Sequence, residues 1–172
     1  MSLLRIRTYP EGILKKKAAA VKDIDGTLQR LIDDMNETMH SASGVGLAAT
    51  QVGNSQALFV ADVPSEGEKR LVIAVINPVI IESDGESSIE EGCLSLPGFR
   101  INVNRSARLV IKGYDRKGKE LILEARELLA TVIQHEMDHL GGVTLLDHAS
   151  LLKREAYLKS LKKGDAAAGP KP

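Results

Sequence analysis

The sequence of 172 residues is poor in cysteine and aromatic side chains and carries no net charge. Its single cysteine, Cys93, excludes an internal disulfide and fits a reducing compartment. Aromatic residues make up 3% and tryptophan is absent, which disfavours base stacking as a way of binding nucleic acid. Lys plus Arg and Asp plus Glu both number 23, so no global basic field predicts DNA binding.

Long hydrophobic runs are also lacking. The longest, residues 71–76, is far shorter than the roughly 20 residues of a membrane-spanning helix. Arg5 and Pro10 interrupt the N-terminal residues before the apolar region of a secretory signal can build up. We therefore expect a cytoplasmic protein without membrane contact. A chain of this length can bury a full core without disulfides, so we predict one domain over residues 1–164 and a flexible, small and polar tail over residues 165–172.

The hydrophobic pattern changes along the chain from helical to strand-like and back. Apolar residues at helical spacing predict a helix over residues 25–39, with Asp23 or Asp25 as its N-cap. The glycines of residues 41–46 predict a loop. Five apolar or β-branched runs predict short strands at residues 57–61, 70–76, 77–81, 108–114 and 120–123. Their short connections favour antiparallel pairing.

Two more helices are predicted in the last third of the chain. The first runs over residues 125–140 and is ended by Gly141 and Gly142. The second covers residues 150–163. Four leucines are predicted to share one side of it: Leu151, Leu152, Leu158 and Leu161. The predicted fold class is α+β, with short, mainly antiparallel sheets around the well-buried helix over residues 125–140 and with an N-terminal and a C-terminal helix.

The strongest chemical motif is His135-Glu136-Met137-Asp138-His139 on the penultimate predicted helix. Histidines four residues apart lie on one face of a helix, so both imidazoles can bind one metal ion, and the glutamate can act on a water molecule. The alternative is a pair of partly exposed histidines on a charged helix. His40 and His148 lie outside the motif, and we predict that they are surface or capping histidines.

A hydrolytic metal site needs a third protein ligand and an open position. Leu145 stands where the extended HExxHxxGxxH peptidases have a third histidine, which excludes that family. A third ligand of the thermolysin type would have to be Glu155, which lies among lysines that predict a solvated helix. Cys93, in the stretch Glu91-Gly92-Cys93-Leu94-Ser95, offers a thiolate, and a buried inert cysteine is the alternative.

Three stretches together resemble the signature motifs of the peptide deformylase family, in the family's order and at similar separations. They are Gly44-Val-Gly46-Leu-Ala-Ala-Thr-Gln51, Glu91-Gly-Cys93-Leu-Ser95 and Gln134-His135-Glu136-Met-Asp138-His139-Leu140. The resemblance spans nearly the whole chain. It implies a metal-dependent hydrolase that removes the N-formyl group from the initiator methionine of nascent polypeptides and releases formate. Composition and periodicity alone predict no more than a metal-dependent hydrolase.

The resemblance also implies roles for individual residues. Three would be the metal ligands, with water in the fourth place: Cys93, His135 and His139. Glu136 would be the general base and then the acid. The Gln51 side-chain amide and the Leu94 backbone N–H would donate to the developing oxyanion. The implied metal is Fe2+, although one thiolate and two imidazoles are also compatible with Ni2+, Co2+ or Zn2+.

By the same resemblance, the substrate backbone runs as an added strand between the glycine loop and the segment before Cys93. Three residues of these segments are then expected to bind substrate: Gly46, Glu91 and Gly92. Four more are expected to line an apolar slot for the methionine side chain: Val45, Ile89, Leu128 and Val132. The last two precede His135 by seven and three residues on its own helical face. A purely structural glycine loop, with Gln51 capping a turn, is the alternative.

The last predicted helix is locally basic in a neutral chain. It has five basic side chains, Lys153, Arg154, Lys159, Lys162 and Lys163, and one acidic side chain, Glu155. A solvated face is one interpretation, and contact with ribosomal RNA phosphates is the other.

Two other function classes stay open at this point. A metallopeptidase lacks the downstream ligand, and a binding module with a structural metal lacks a fourth protein ligand.

Overall fold

The computed structural model of the chain describes residues 2–64 and 70–163. Its helices are α1 (Gly26–Ser41), α2 (Glu127–Leu140) and α3 (Leu151–Lys163). Its strands are β1 (Gly46–Ala48), β2 (Leu58–Pro64), β3 (Arg70–Asp84), β4 (Ser87–Cys93), β5 (Leu96–Arg105), β6 (Arg108–Tyr114) and β7 (Glu120–Arg126). Three short 3-10 helices cover Gly12–Lys15, Ala49–Val52 and Leu145–Asp147. The predicted tail, residues 165–172, lies outside the described residues.

The strands form two sheets, and every pairing between them is antiparallel. One sheet has five strands in the order β1-β2-β3-β6-β7, and the other is the hairpin of β4 and β5. Together with the three helices, these sheets confirm the predicted α+β class. None of the helices in the described ranges is long and apolar enough to span a membrane.

The prediction of two separate strands at residues 70–76 and 77–81 is wrong. Both runs belong to β3, which continues through Asn77 and Pro78 with a shift in its register against β6. Asn77 has a φ of +52°, a conformation that asparagine tolerates better than most residues. Its side chain accepts from the Val21 N–H at 2.8 Å and donates to the Val21 carbonyl at 2.9 Å. The Asn-Pro turn signal therefore marks an irregularity inside one strand.

The hairpin of β4 and β5 and the short strand β1 were not predicted. In β5 the side chains alternate between buried and exposed from Phe99 to Arg105, a period-2 pattern that is visible in the sequence. The predicted loop over residues 41–46 ends at Gly46, where β1 begins. A strand of three residues is too short for periodicity to reveal it.

The helix α2 lies at the centre of the molecule, as predicted. It packs on β1, β2, β6 and β7, and its buried Ala130, Ile133 and Leu140 share one hydrophobic core with Phe59 and Val75. It also contacts β4, where His135 meets Glu91 and His139 meets Cys93. This position fixes the HExxH segment between the two sheets.

The helix α1 begins after Asp25, whose carboxylate accepts from the N–H groups of Thr27 and Leu28 at 2.9 Å each. Of the two predicted N-caps, Asp25 is therefore the one that the structure uses. The buried face of α1 packs its methionines, Met35 and Met39, into a second core beneath β1 and β2. This core supports the β1 edge from below.

The prediction that four leucines share the buried side of α3 is wrong for the first two. Leu151 and Leu152 are 78% and 79% exposed, because the first turn of α3 lies beyond the core that its second half covers. The buried side is formed by Tyr157 with the partly buried Leu158 and Leu161. The Tyr157 ring lies 4.8 Å from the ring of Phe99, so α3 is attached to the start of β5.

Candidate active site

Three side chains from distant parts of the sequence meet between β4 and α2. Cys93 is the last residue of β4, and His135 and His139 lie one turn apart on α2. The ligand atoms of this Cys-His-His trio all lie within 4.8 Å of one another, and Cys93 Sγ is 3.2 Å from His139 Nε2. The trio is one thiol and two imidazoles in a partly buried position, and it can hold a metal ion.

The electrostatics of the trio favour the thiolate form of Cys93. Burial opposes ionisation of the thiol, but the charge of His139 and hydrogen bonds from both histidines outweigh it. Their sum lowers the pKa of Cys93 from 9.0 to about 5. Because the thiolate is the form that binds metals, the site is prepared for a divalent transition metal.

The orientation of His135 is set by a carboxylate behind it. The His135 Nδ1–H donates to Glu91 Oε2 at 2.8 Å. This leaves the other ring nitrogen, Nε2, to face the other two members of the trio. Glu91 also accepts two hydrogen bonds from Arg105, at 2.5 and 2.9 Å, and both side chains are only 5% exposed. Burial raises the pKa of Glu91, but the His135 and Arg105 contacts more than offset this, so the carboxyl stays ionised. This arrangement fits a metal-binding histidine, whose second nitrogen is normally held in this way.

Glu136 is a buried carboxyl group beside the trio. Burial is the largest influence on it and, against the attraction of both histidines, raises its pKa from 4.5 to about 7. Its Oε2 has no hydrogen-bond partner within the described part of the chain. A carboxyl group with a pKa near neutrality can both accept and return a proton at physiological pH.

Gly46 makes room for Glu136. A Cβ at this position would collide with the Glu136 carboxylate and lie 2.9 Å from Val132 Cγ1. Gly44 is similarly crowded, since its Cβ would lie 2.9 Å from Leu94 Cδ1. A side chain at position 46 would therefore displace Glu136 and Val132, and one at position 44 would displace the end of the Leu94 side chain.

The Gln51 side chain is held in one orientation at the trio. Its Oε1 accepts from the Ala48 N–H at 2.8 Å, so its amide nitrogen points the other way. That nitrogen donates to Ser95 Oγ at 3.1 Å and lies 3.7 Å from Cys93 Sγ. Leu94 follows Cys93 in the turn between β4 and β5. The three sequence motifs thus meet at one place.

A cleft of about 510 Å3 opens beside this place. All seven residues predicted to bind substrate line it: Val45, Gly46, Ile89, Glu91, Gly92, Leu128 and Val132. The cleft is also lined by Gln51, Cys93, Leu94, His135 and Glu136. One wall contains the edge strand β1 with the loop before it, and the opposite wall contains β4. The Glu91 side chain is engaged by Arg105 and His135.

Further cleft residues were missed by the sequence analysis. Thr131 is buried on α2 one turn before His135, a spacing that could have identified it. Arg100 pairs with Gly92 across the hairpin and is largely exposed. It was missed because β5 itself was not predicted. Phe99 lines the cleft on one side and packs against Tyr157 on the other.

Comparison with known proteins agrees with this geometry. The family model described as polypeptide deformylase matches residues 3–155. The chain belongs to the polypeptide deformylase family. A peptide deformylase of Thermodesulfovibrio yellowstonii is 50% identical over 162 residues, which are 94% of this chain and 98% of that protein.

Solved structures of the family share the fold. The crystal structure of a peptide deformylase from Legionella pneumophila superposes with a TM-score of 0.89 at 40% identity, covering 99% of this chain and 100% of that chain. A class I type b peptide deformylase from Acinetobacter baumannii, with Met-Ala-Ser bound, superposes with a TM-score of 0.80 at 30% identity. That comparison covers 86% of this chain and 99% of that one.

The family assignment confirms the predicted activity. The chain is a metal-dependent hydrolase that removes the N-formyl group from the initiator N-formylmethionine of nascent polypeptides and releases formate. The metallopeptidase and the binding module, which the sequence analysis left open, are therefore set aside.

Proposed function

We propose that deformylation takes place in the cleft between β1 and β4, on a metal held by the Cys-His-His trio, with Glu136 as the proton carrier. The observation that carries this proposal is the convergence of the three sequence motifs. The trio, the buried Glu136 carboxyl group and the fixed Gln51 amide meet at a cleft of about 510 Å3.

Cys93, His135 and His139 would bind the metal through one sulfur and two nitrogen atoms. In this proposal the metal is Fe2+, and Ni2+, Co2+ or Zn2+ could replace it, because all four accept this donor set. When bound, the metal supplies Lewis acidity to the carbonyl group that reacts. The lowered pKa of Cys93 favours the thiolate that such binding needs.

The two walls of the cleft would bind the substrate as an extended strand. β1 is an edge strand of the five-stranded sheet, and β4 is one strand of a two-stranded hairpin, so each has an edge to offer to a third strand. The side chains of Val45, Ile89, Leu128 and Val132 would contact the methionine side chain. The Met-Ala-Ser peptide in the Acinetobacter enzyme supports this occupant, since it begins with methionine.

Glu136 would carry the proton of the reaction. As water attacks the formyl carbon, a new C–O bond forms and the Glu136 carboxylate accepts the water proton. The same carboxyl group then gives the proton to the methionine nitrogen as the bond between this nitrogen and the formyl carbon breaks. This step releases formate and a free N-terminal amine. Its pKa near 7 suits both transfers.

Gln51 and Leu94 would stabilise the oxyanion that forms in between. The Gln51 amide nitrogen is already oriented by the Ala48 and Ser95 contacts, so no reorganisation is needed when negative charge develops. The Leu94 N–H belongs to the turn that follows Cys93 and would donate from the other side. Losing one such donor typically lowers the rate on the order of 10²–10³-fold.

The experiment that tests the proposal is formate release from N-formyl-Met-Ala-Ser by anaerobically prepared, Fe2+-loaded protein. We expect turnover by the unchanged chain and none on the N-acetyl peptide. Cys93→Ser should lose both metal and activity. Turnover by Cys93→Ser at the unchanged rate would contradict the ligand assignment. Aerobic handling should inactivate the Fe2+ form faster, because an accessible thiolate on iron is open to oxidation.

We also propose that the basic helix α3 contacts ribosomal RNA in the cytoplasm. Four of its lysines are exposed: Lys153, Lys159, Lys162 and Lys163. Salt-dependent attraction to RNA phosphates would concentrate the enzyme where nascent chains emerge. Residues 1–164 would act as one catalytic domain, since α3 packs on the hairpin that supplies Cys93.

Deleting residues 150–172 would be an ambiguous test of this contact. Tyr157 is buried and donates to the Pro97 carbonyl at 3.2 Å, so the deletion would expose a core next to the cleft. Changing the four exposed lysines to glutamate avoids this problem. Lys16, Lys17, Lys22 and Lys117, which are exposed elsewhere, provide a matched control. We expect only the α3 variant to lose salt-sensitive cosedimentation with ribosomes, and equal binding by both variants would contradict the proposal.

A further inference from the structure

A continuous series of hydrogen bonds leads from the trio to the surface of the molecule. Its inner part is the pair of Glu91 with His135 and the double hydrogen bond of Glu91 with Arg105. Beyond Arg105 the series continues through Asp138 to His148, which lies outside the three sequence motifs. Arg105 Nη1 donates to Asp138 Oδ2 at 2.9 Å, and His148 Nε2 lies 2.8 Å from the same oxygen.

The backbone holds His148 firmly in this position. It follows the 3-10 helix Leu145–Asp147, and its own N–H donates to the Leu145 carbonyl at 3.3 Å. Asp147 closes this short helix by accepting from the Thr144 N–H and hydroxyl and pairs with Lys15. The imidazole therefore reaches Asp138 from an ordered backbone, and only its side-chain torsions remain to be fixed by the contact.

Asp138 is the outermost carboxylate of the series and is partly open to water. Its side chain is 28% exposed, whereas Arg105 is 5% exposed. If the carboxylate turned toward water, a buried guanidinium N–H would lose its acceptor, which is costly for a charged group. A second donor on Asp138 Oδ2 opposes that rotation, and His148 is this donor.

We propose that His148 is a positioning residue for the metal centre. By binding Asp138, it keeps Arg105 and Glu91 in place, and Glu91 in turn fixes the ring of His135. This inference rests on the proposed role of His135 as a metal ligand. It concerns the affinity of the centre for metal, because outer hydrogen-bond partners orient the ligands that bind.

The chain contains a natural control for this proposal. His40 forms the same kind of contact, with its Nε2 2.7 Å from Asp62 Oδ2. His40 and His148 are both partly exposed, and both contact a carboxylate on a secondary-structure element. Asp138 also contacts Arg105, and through it the series that ends at His135.

The test is a measurement of Co2+ affinity in the full chain, by competition with a chelator and by the visible absorption of the bound Co2+. His148→Leu should weaken Co2+ binding about threefold to tenfold, less than the 10–100-fold typical of a direct partner. His148→Gln, which keeps a side-chain donor, should bind within about twofold of the unchanged chain. His40→Leu should leave Co2+ affinity and absorption unchanged.

Three results would overturn the proposal. These are unchanged affinity in His148→Leu, equal losses in His148→Leu and His148→Gln, and an equal loss in His40→Leu, which would indicate general destabilisation. His135→Ala separates this inference from the proposed function. If His135→Ala retains full Co2+ affinity, the ligand assignment fails. If it loses affinity while His148→Leu does not, only the positioning role fails.

Discussion

The strand β4 and the helix α2, which both line the cleft, each bury a glutamate, and the two carboxyl groups are held in opposite states. On β4, Glu91 is hydrogen-bonded to Arg105 and His135, and its pKa is lowered. On α2, Glu136 has an oxygen without a partner in the described chain, and its pKa is raised to about 7. Burial alone would raise both pKa values. The contacts of each carboxyl group determine the direction of its pKa shift. Glu91 is therefore suited to hold a negative charge, and Glu136 is suited to exchange a proton.

Replacing Glu136 should have the largest effect on the reaction. Glu136→Gln keeps the shape of the side chain but cannot accept a proton, so we expect kcat to fall on the order of 10²–10⁴-fold. Metal content should be unchanged, because Glu136 is not one of the trio. Glu127→Gln, at the exposed start of α2, is the control and should retain full activity. A Glu136→Gln enzyme that works at the unchanged rate would remove the proton-carrier role.

Replacing Glu91, on β4, tests how much its ion pair with Arg105 contributes to the free energy of unfolding. Glu91→Gln leaves Arg105 with one neutral acceptor in place of a buried carboxylate, and breaking such a pair costs roughly 3 kcal/mol. Because the folded pKa of Glu91 is lowered, its contribution is present above pH 4.5 and is lost as the pH falls below that value. Urea unfolding of the metal-free protein at pH 7.5 measures it.

Glu90 is the matched control for that experiment. It is adjacent in the sequence, 61% exposed and only loosely paired with Arg100 at 3.8 Å. Glu90→Gln should change the free energy of unfolding by less than about 0.5 kcal/mol. Similar losses in both variants would mean that the hairpin, and not the Glu91 ion pair, responds to the lost charge.

How far the site can be predicted from sequence depends on the range of the interaction. His135 and His139 lie four residues apart on one helix, so their spacing is enough to predict that they face the same way. The contact of Glu91 with His135 bridges 44 residues and needs the register of β4 against α2. Arg105 needs β5, which was not predicted. The motifs therefore revealed the trio but not the side chains that orient it.

The same distinction applies to the fold. Antiparallel pairing and the central α2 follow from local patterns and short connections, and both predictions are confirmed. The exposure of Leu151 and Leu152 could not be predicted, because periodicity describes a helix face but not where the neighbouring core ends. His148 was left without a role for a similar reason, since its contact with Asp138 depends on the chain reversing after α2.

The raised pKa of Glu136 predicts a gain in stability when it is replaced. The folded state favours the neutral carboxyl group, so the stability contribution is full below pH 4.5 and is lost as the pH rises through about 7. In the metal-free protein, Glu136→Gln should therefore raise the free energy of unfolding at pH 8 by roughly 1–3 kcal/mol and change little at pH 4. Glu91→Gln should shift stability in the opposite direction at pH 8. A loss of stability in both variants would contradict the comparison.

The smallest effect is expected for Thr131, a buried polar residue of α2 that also lines the cleft. Its buried hydroxyl has no hydrogen-bond partner among the residues described and does not bond the carbonyl one turn earlier. Thr131→Val should raise the free energy of unfolding by about 0.5–1 kcal/mol, because the same shape is kept and an unsatisfied hydroxyl is removed. Thr38 is the control, since its buried hydroxyl accepts from the Leu4 N–H at 2.9 Å and donates to the Asp34 carbonyl at 2.6 Å. Thr38→Val should cost about 1–3 kcal/mol. An equal loss in Thr131→Val would show that its hydroxyl is hydrogen-bonded in solution, and this part of α2 would then be less apolar than its contacts indicate.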